Sequence, residues 1–198
     1  SKDVLFHLVD SDTNSRILQG IIISQYRKKV ALKNGLNIKP LVMFKSKSIK
    51  ENQENLNSFL EILENLNEDN LKIQRGMAKT GILKSAFDFF DSQHILDINL
   101  IKELQEDFRA ERLLLIDGGH KTSDRLNDVN TLENPDNEIR AIFAVDMLNE
   151  GWDVLNLFDI VRLYDTRDGR LTKNGFVPGN TTNTEKQLIG RGARYYPF

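Results

Sequence analysis

The sequence predicts an α/β protein: a mainly parallel β-sheet covered by helices on both faces, three layers in all. Two observations lead there. Several short apolar runs read as interior strands: Pro40 to Phe44, Leu113 to Ile116, Ile139 to Val145 and Leu157 to Tyr164. Helices or long crossings separate these runs, and only parallel strands need such connections. In sheets of this kind ligands bind outside the carboxyl ends of the strands. Lys45, Asp117, Asp146, Gly151, Asp153 and Asp165 all fall on that edge.

The elements follow in order. Residues 4–9 are a short strand or leading segment, closed by a polar turn at Asp10-Ser11-Asp12. Between Ile17 and Leu32 the pattern is mixed. Ile17, Leu18, Ile21 and Ile22 have helical spacing, yet Ile21-Ile22-Ile23 suits a buried strand equally. The strand at 40–44 runs into Lys45-Ser46-Lys47-Ser48. A strongly periodic helix follows over roughly 49–66, with Ile49, Leu56, Phe59, Leu60, Leu63 and Leu66 on its apolar side. From 71 to 110 the apolar spacing suggests two or more helices broken near Asp91-Ser92, a helical insertion in the domain. The strand at 113–116 ends at Asp117-Gly118-Gly119, and a polar loop covers 121–137. Strands at 139–145 and 157–164 flank Met147 to Asp153. A glycine-bearing polar loop spans 168–181. Thr182-Asn-Thr-Glu185 is then a capping box that opens a final helix, and Pro197 cannot continue it.

Composition narrows the function. The chain has 198 residues, 39% hydrophobic and 28% charged, which describes an ordinary globular protein of one generous domain or one domain with an insertion. A net charge of −2 gives no global attraction to nucleic acid, so such binding needs local basic patches. No cysteine is present, which excludes disulfides and thiolate metal sites. The three histidines, His7, His94 and His120, are scattered. No apolar run reaches membrane-spanning length and no leader opens the chain, so an intracellular, cytoplasmic protein is expected. The chain stops at Tyr195-Tyr196-Pro197-Phe198, directly after its most basic helix, and is expected to be a piece of a longer protein.

That helix carries the strongest functional signal, Gln187-Leu-Ile-Gly190-Arg191-Gly-Ala-Arg194. At about 100° per residue, Gln187, Gly190, Arg191 and Arg194 share one face. The face holds two guanidiniums, an amide and a glycine that lets a partner come close. Planar forks with a permanent charge suit phosphate oxygens. Glu150-Gly151-Trp152-Asp153 follows a buried strand: its glycine permits close backbone approach, and Asp153 can accept hydrogen bonds from ribose hydroxyls. Lys45, Ser46 and Lys47 combine two cations with a hydroxyl, a composition that suits the phosphates of a nucleic-acid backbone and equally a solvated loop. Three other signals are set aside. Gly76 to Thr80 lacks the spacing of a phosphate loop. Pro135-Asp136 with Glu138 and Arg140 has the residue types of a metal nuclease centre, but the acids are too crowded, and a turn is the better reading. Arg27-Lys28-Lys29 reads as a solvated helix face.

Val145 to Asp153 followed by Gln187 to Arg194 resembles motifs V and VI of superfamily 2 helicases. The Glu-Gly-Trp-Asp form most resembles the Res subunit of type III restriction enzymes, and Pro40 to Ser48 is similar to motif IV. The resemblance is strongest over 139–197 and weakest over 71–110. It implies a RecA-like second lobe, the C-terminal one of two, with ATP held between the lobes and translocation on double-stranded DNA. It further implies that Gly151, Asp153 and Gly190 line the nucleotide cleft, that Arg191 and Arg194 act as arginine fingers with Gln187 beside them, and that Lys45, Ser46 and Lys47 face DNA. The implied partners are the N-terminal RecA-like lobe of the same parent chain, which would hold Mg2+, and a DNA-methyltransferase (Mod) subunit. No GxxxxGK[ST] loop and no Asp-Glu dipeptide occur, so the phosphate cradle and metal site belong to that other lobe. Two competitors are the same lobe in a helicase of DNA repair or phage defence, and a degenerate DNA-binding or interaction module.

Overall fold

The computed structural model describes residues 12–116, 131–145, 154, 156–164, 170–172 and 175–177. The leading segment at 4–9, the segment from Asp146 to Asp153 and the final helix with its capping box lie outside the described residues.

The first element, α1, is a helix over Asp12–Lys33. Its buried positions Ile17, Leu18, Ile21, Ile22 and Gln25 repeat at helical spacing, while Ile23 is only half-buried, so the strand alternative at 21–23 fails. Strand β1, Leu41–Ser46, is buried at every position, as expected of an interior strand. Helix α2, Ile49–Glu64, starts at Ser48, whose hydroxyl accepts from the Glu51 backbone N–H. Its buried stripe corrects the expected one at the first turn. Ile49 is 52% exposed, and Asn52 occupies the buried position instead. The reason is place: the first residue of α2 lies beyond the core, at the end of β1.

The stretch expected to be helical holds three helices, α3 (Glu68–Met77), α4 (Gly81–Ser92) and α5 (Asp97–Asp107). The break falls after Ser92, where His94 takes a left-handed conformation with φ 56°. Reciprocal bonds between Asn67 and Asn70 cap α3. These helices share one core with the sheet: Leu71, Phe87, Phe90, Leu100, Leu104 and Phe108 cluster with Ile17, Phe44, Phe59 and Phe143. A turn of 3-10 helix, Ala110–Arg112, leads into β2 (Leu113–Ile116), followed by β3 (Ala141–Val145) and β4 (Leu157–Arg162).

The four strands form one all-parallel sheet in the order β2-β3-β1-β4. Alternation divides its faces. Val42, Phe44, Ala141 and Phe143 meet the helical core, whereas Leu41, Met43, Ile142 and Ala144 point the other way, toward Leu132 and Ile139. Every described helix lies on the first of these faces. The parallel sheet flanked by helices is consistent with a RecA-like fold. One expectation is corrected: the polar stretch 168–181 contains a short antiparallel pair, β5 (Arg170–Thr172) with β6 (Gly175–Val177). No helix among the described residues is long and apolar enough to cross a membrane.

Candidate functional site

Because the strands are parallel, Ile116, Ser46, Val145 and Arg162 all end on one edge of the sheet. This is the carboxyl edge, where the sequence places the ligand-facing residues. Lys45 is 2% exposed and Ser46 1% exposed, whereas Lys47 is exposed. Lys45 is still inside the sheet, in register with Ala144 on one side and Arg162 on the other. The Ser46 hydroxyl faces α2 and accepts a 2.8 Å hydrogen bond from Asn55 Nδ2. Lys47 is the first residue past the strand, and its backbone N–H donates to Glu51 Oε2 at 3.2 Å. Of the trio expected to face DNA, Lys45 and Ser46 are thus packed into the fold, and Lys47 alone presents its side chain to solvent.

Side chains tie this edge together. Asn52 Nδ2 donates to the carbonyl oxygens of Ile116 and Phe143, both at 3.3 Å, and so reaches the ends of β2 and β3 from the first turn of α2. Arg16, in the first turns of α1, donates from Nη1 to the Arg162 carbonyl at 3.3 Å. The Leu163 N–H donates to the Lys45 carbonyl at 2.9 Å, extending the β1–β4 ladder by one bond. Asn52 is a functional candidate that the motifs do not include, although the sequence carries a signal for it. Asn52, Leu56, Phe59 and Leu63 continue a single helical stripe, and a polar residue inside an apolar stripe marks a hydrogen bond to be made.

The remaining candidate residues, Gly151, Asp153, Gln187, Gly190, Arg191 and Arg194, lie outside the described residues. Their positions in the chain bear on the edge all the same. Gly151 and Asp153 occur in the segment between β3 and β4, and β3 leads into it at the carboxyl edge.

The amino-terminal edge carries a charge cluster. Arg140 is 2% exposed and donates from Nη1 to Asp107 Oδ2 (2.7 Å), from Nε to the Pro40 carbonyl (3.1 Å) and from Nη2 to Ser24 Oγ (3.2 Å). Its guanidinium also stacks over the Phe108 ring, 4.7 Å from the centroid. Asp107 further accepts from Lys28 (2.5 Å) and Arg112 (3.1 Å). Burial alone pushes the Asp107 carboxyl up, but the Lys28 hydrogen bond and the charges of Arg140 and Lys28 hold it below its ordinary value. Lys39, which donates to the backbone and side-chain oxygens of Asn137, is lowered to about 8 by burial and by the nearby Arg140 charge.

The Arg27-Lys28-Lys29 run is therefore not the solvated face expected of it. Arg27 grips Asp159 on β4 through three hydrogen bonds of 2.9–3.2 Å, Lys28 holds Asp107, and Lys29 bonds Glu103 at 2.8 Å. Burial pushes the Asp159 carboxyl up despite Arg27. Pro135 and Asp136 lie in a turn, in agreement with the sequence reading, and nearby Arg140 is committed to Asp107.

The chain is 33% identical over 177 residues to the "Probable type III restriction-modification enzyme HindVIP Res subunit" of Haemophilus influenzae, an alignment covering 78% of this chain and 34% of that protein. The chain thus spans about a third of the length of the curated relative it matches. A family model, HI_1054_N, described as an N-terminal region, matches residues 181–198. No solved structure matches significantly. The chain is related to a restriction-enzyme subunit.

Proposed function

We propose that this chain is the second motor lobe of an ATP-dependent DNA translocase, the Res subunit of a type III restriction-modification enzyme. The observation that carries the reading is the 33% identity over 177 residues to a Res subunit. The parallel sheet supports it, since its carboxyl edge leads into the segment bearing Gly151 and Asp153. Exposed Lys47 fits the same edge as a cation for a phosphodiester backbone.

On this reading ATP, when bound between two lobes, supplies the phosphoanhydride bond whose hydrolysis drives movement along double-stranded DNA. Gly151 lets the backbone approach the nucleotide, Asp153 accepts from its ribose hydroxyls, and Gly190 keeps the helix surface open to it. Arg191 and Arg194 place guanidiniums where charge develops on the terminal phosphate, and Gln187 orients the attacking water. Mg2+ belongs to the N-terminal RecA-like lobe of the parent chain. DNA recognition belongs to an associated methyltransferase subunit.

The test is made in the full-length parent protein. Arg191→Ala is expected to lower DNA-stimulated ATP hydrolysis by roughly a thousandfold, the loss typical of a missing arginine finger. DNA affinity, read by filter binding, stays within about twofold, as expected of a group acting on the transition state alone. Hydrolysis that survives this substitution rules out the finger role.

A further inference from the structure

We infer that Asn52 is a positioning residue of the carboxyl edge. Its carboxamide sets the spacing between the ends of β2 and β3, and with it the point from which the chain runs toward Gly151 and Asp153. The inference rests on the proposed function only in saying what that spacing serves.

Asn52 is fully buried, at 0% exposure. Its Nδ2 spans two carbonyl oxygens on different strands, Ile116 on β2 and Phe143 on β3, each at 3.3 Å. Both distances are long, as expected when one amide group bridges two acceptors. Its Oδ1 is buried and has no hydrogen-bond partner among the described residues. A buried, unsatisfied acceptor is unfavourable, and natural cores contain few of them. Phe59 and Leu63 on the same face of α2 serve the core as apolar side chains, whereas the Asn52 amide bonds two strand-end carbonyls. What the amide adds is geometry.

That geometry is rigidly delivered. Ser48 caps α2, and the Asn52 backbone N–H donates to the Ser48 carbonyl at 2.9 Å, so the first turn is fixed to the end of β1. From there Asn52 clamps two strands in the same sheet. The clamp matters most for β2, a four-residue strand whose one strand neighbour among the described residues is β3 and whose last paired residue is Ile116. Asn55, one turn on, holds Ser46 of β1 in the same manner. The first turns of α2 thus set three strand ends relative to one another.

The experiment uses the full-length protein with Asn52→Leu and Asn52→Asp, and Arg191→Ala as the control for the functional reading. With Asn52→Leu, KM for ATP is expected to rise roughly tenfold while DNA affinity holds within about twofold, because misplaced nucleotide contacts weaken nucleotide binding first. Asn52→Asp adds a readout that a purely structural role would not move. An ionised carboxylate repels both carbonyl oxygens, but the neutral acid donates to one of them, and burial raises its pKa. Its KM defect is therefore strong at pH 8 and relieved toward pH 6, a pH dependence absent from the wild type. Amide hydrogen exchange should quicken at Ile116, Ala144 and Val145 in both variants, with protection elsewhere unchanged. If Asn52→Leu fails to fold, the Asn52→Asp pH profile and exchange pattern decide. Wild-type KM, pH profile and exchange together overturn the inference. If instead Arg191→Ala retains hydrolysis, the functional reading falls, and the exchange pattern still judges Asn52.

Discussion

Asp107 receives three cations on one carboxylate, and Arg140, the most buried of them, depends on it. Removing one partner of a buried pair leaves a charge in the core, which costs about 3 kcal/mol or more. Asp107→Asn is therefore expected to lower unfolding free energy by about 3 kcal/mol at pH 7 in urea titrations. The pH dependence has a definite sign. Asp107 is held below its ordinary value, so its ionised form stabilises the fold fully above pH 4, and that contribution is lost as pH falls through the lowered value. Asp159, raised by burial, acts in the opposite sense: its contribution is present below the ordinary value and is lost as pH rises through the raised one. Melts taken from pH 5 down to pH 3 should thus show a shallower acid loss in Asp107→Asn than in the wild type. None of this was legible in the sequence, because Lys28, Asp107 and Arg140 meet only through the fold. The same limit explains Lys45. Composition marked it as a cation after a strand, but only the register with Ala144 and Arg162 shows that the strand continues past it.

At the scale of elements, α1 is held against the sheet by what it omits. A Cβ on Gly20 would lie 2.8 Å from Phe44 Cε1 and 3.2 Å from Val161 Cγ2, so the helix approaches β1 and β4 at backbone distance. Alanine in a helix interior gains about 1 kcal/mol over glycine, while overpacking a filled core costs about 1–3 kcal/mol. Gly20→Ala is expected to destabilise the chain by about 1 kcal/mol net, read as a lower urea midpoint with unchanged slope. An increase in stability would show that the Phe44 ring moves freely. Elements with strong periodicity were readable in advance: the four interior strands, α2 and the helical character of 71–110. Two kinds of detail were not. β5 and β6 are three residues each, too short for alternation to register, and they lie among glycines and polar residues. The choice between helix and strand at Ile21 to Ile23 needed the buried Ser24 and Gln25 beyond them, which extend the stripe by another turn.

For the whole molecule, the sequence lacks a GxxxxGK[ST] loop and an Asp-Glu dipeptide, the parts that cradle phosphates and hold the metal. The isolated chain is therefore expected to turn over ATP at no more than background rate, even with DNA present. Finger-dependent turnover by pure chain would refute the division of labour between two lobes. The α/β class and the parallel sheet were legible because alternating strands and helices admit few arrangements. That the strands share one carboxyl edge was legible for the same reason, and the proposed function places the ligand there. The internal ties of that edge were not legible, since Asn52 to Ile116 and Phe143 are contacts across long stretches of chain.

The strand order has a consequence for how the chain is made. β1 sits between β3 and β4, with Val42 paired to Ala141 and Leu41 to Leu157, and has no partner near it in sequence. During synthesis both its backbone edges therefore stay unbonded until β3 has emerged, and the edge that faces β4 until residues past 157 have followed. Helices α2 to α5 appear first and can shelter only one face. Closing such long loops before any pairing is gained slows folding, and an apolar strand left open meanwhile invites pairing with other chains. Nascent copies of this protein should accordingly be clients of the cell's holding chaperones for longer than their size alone suggests.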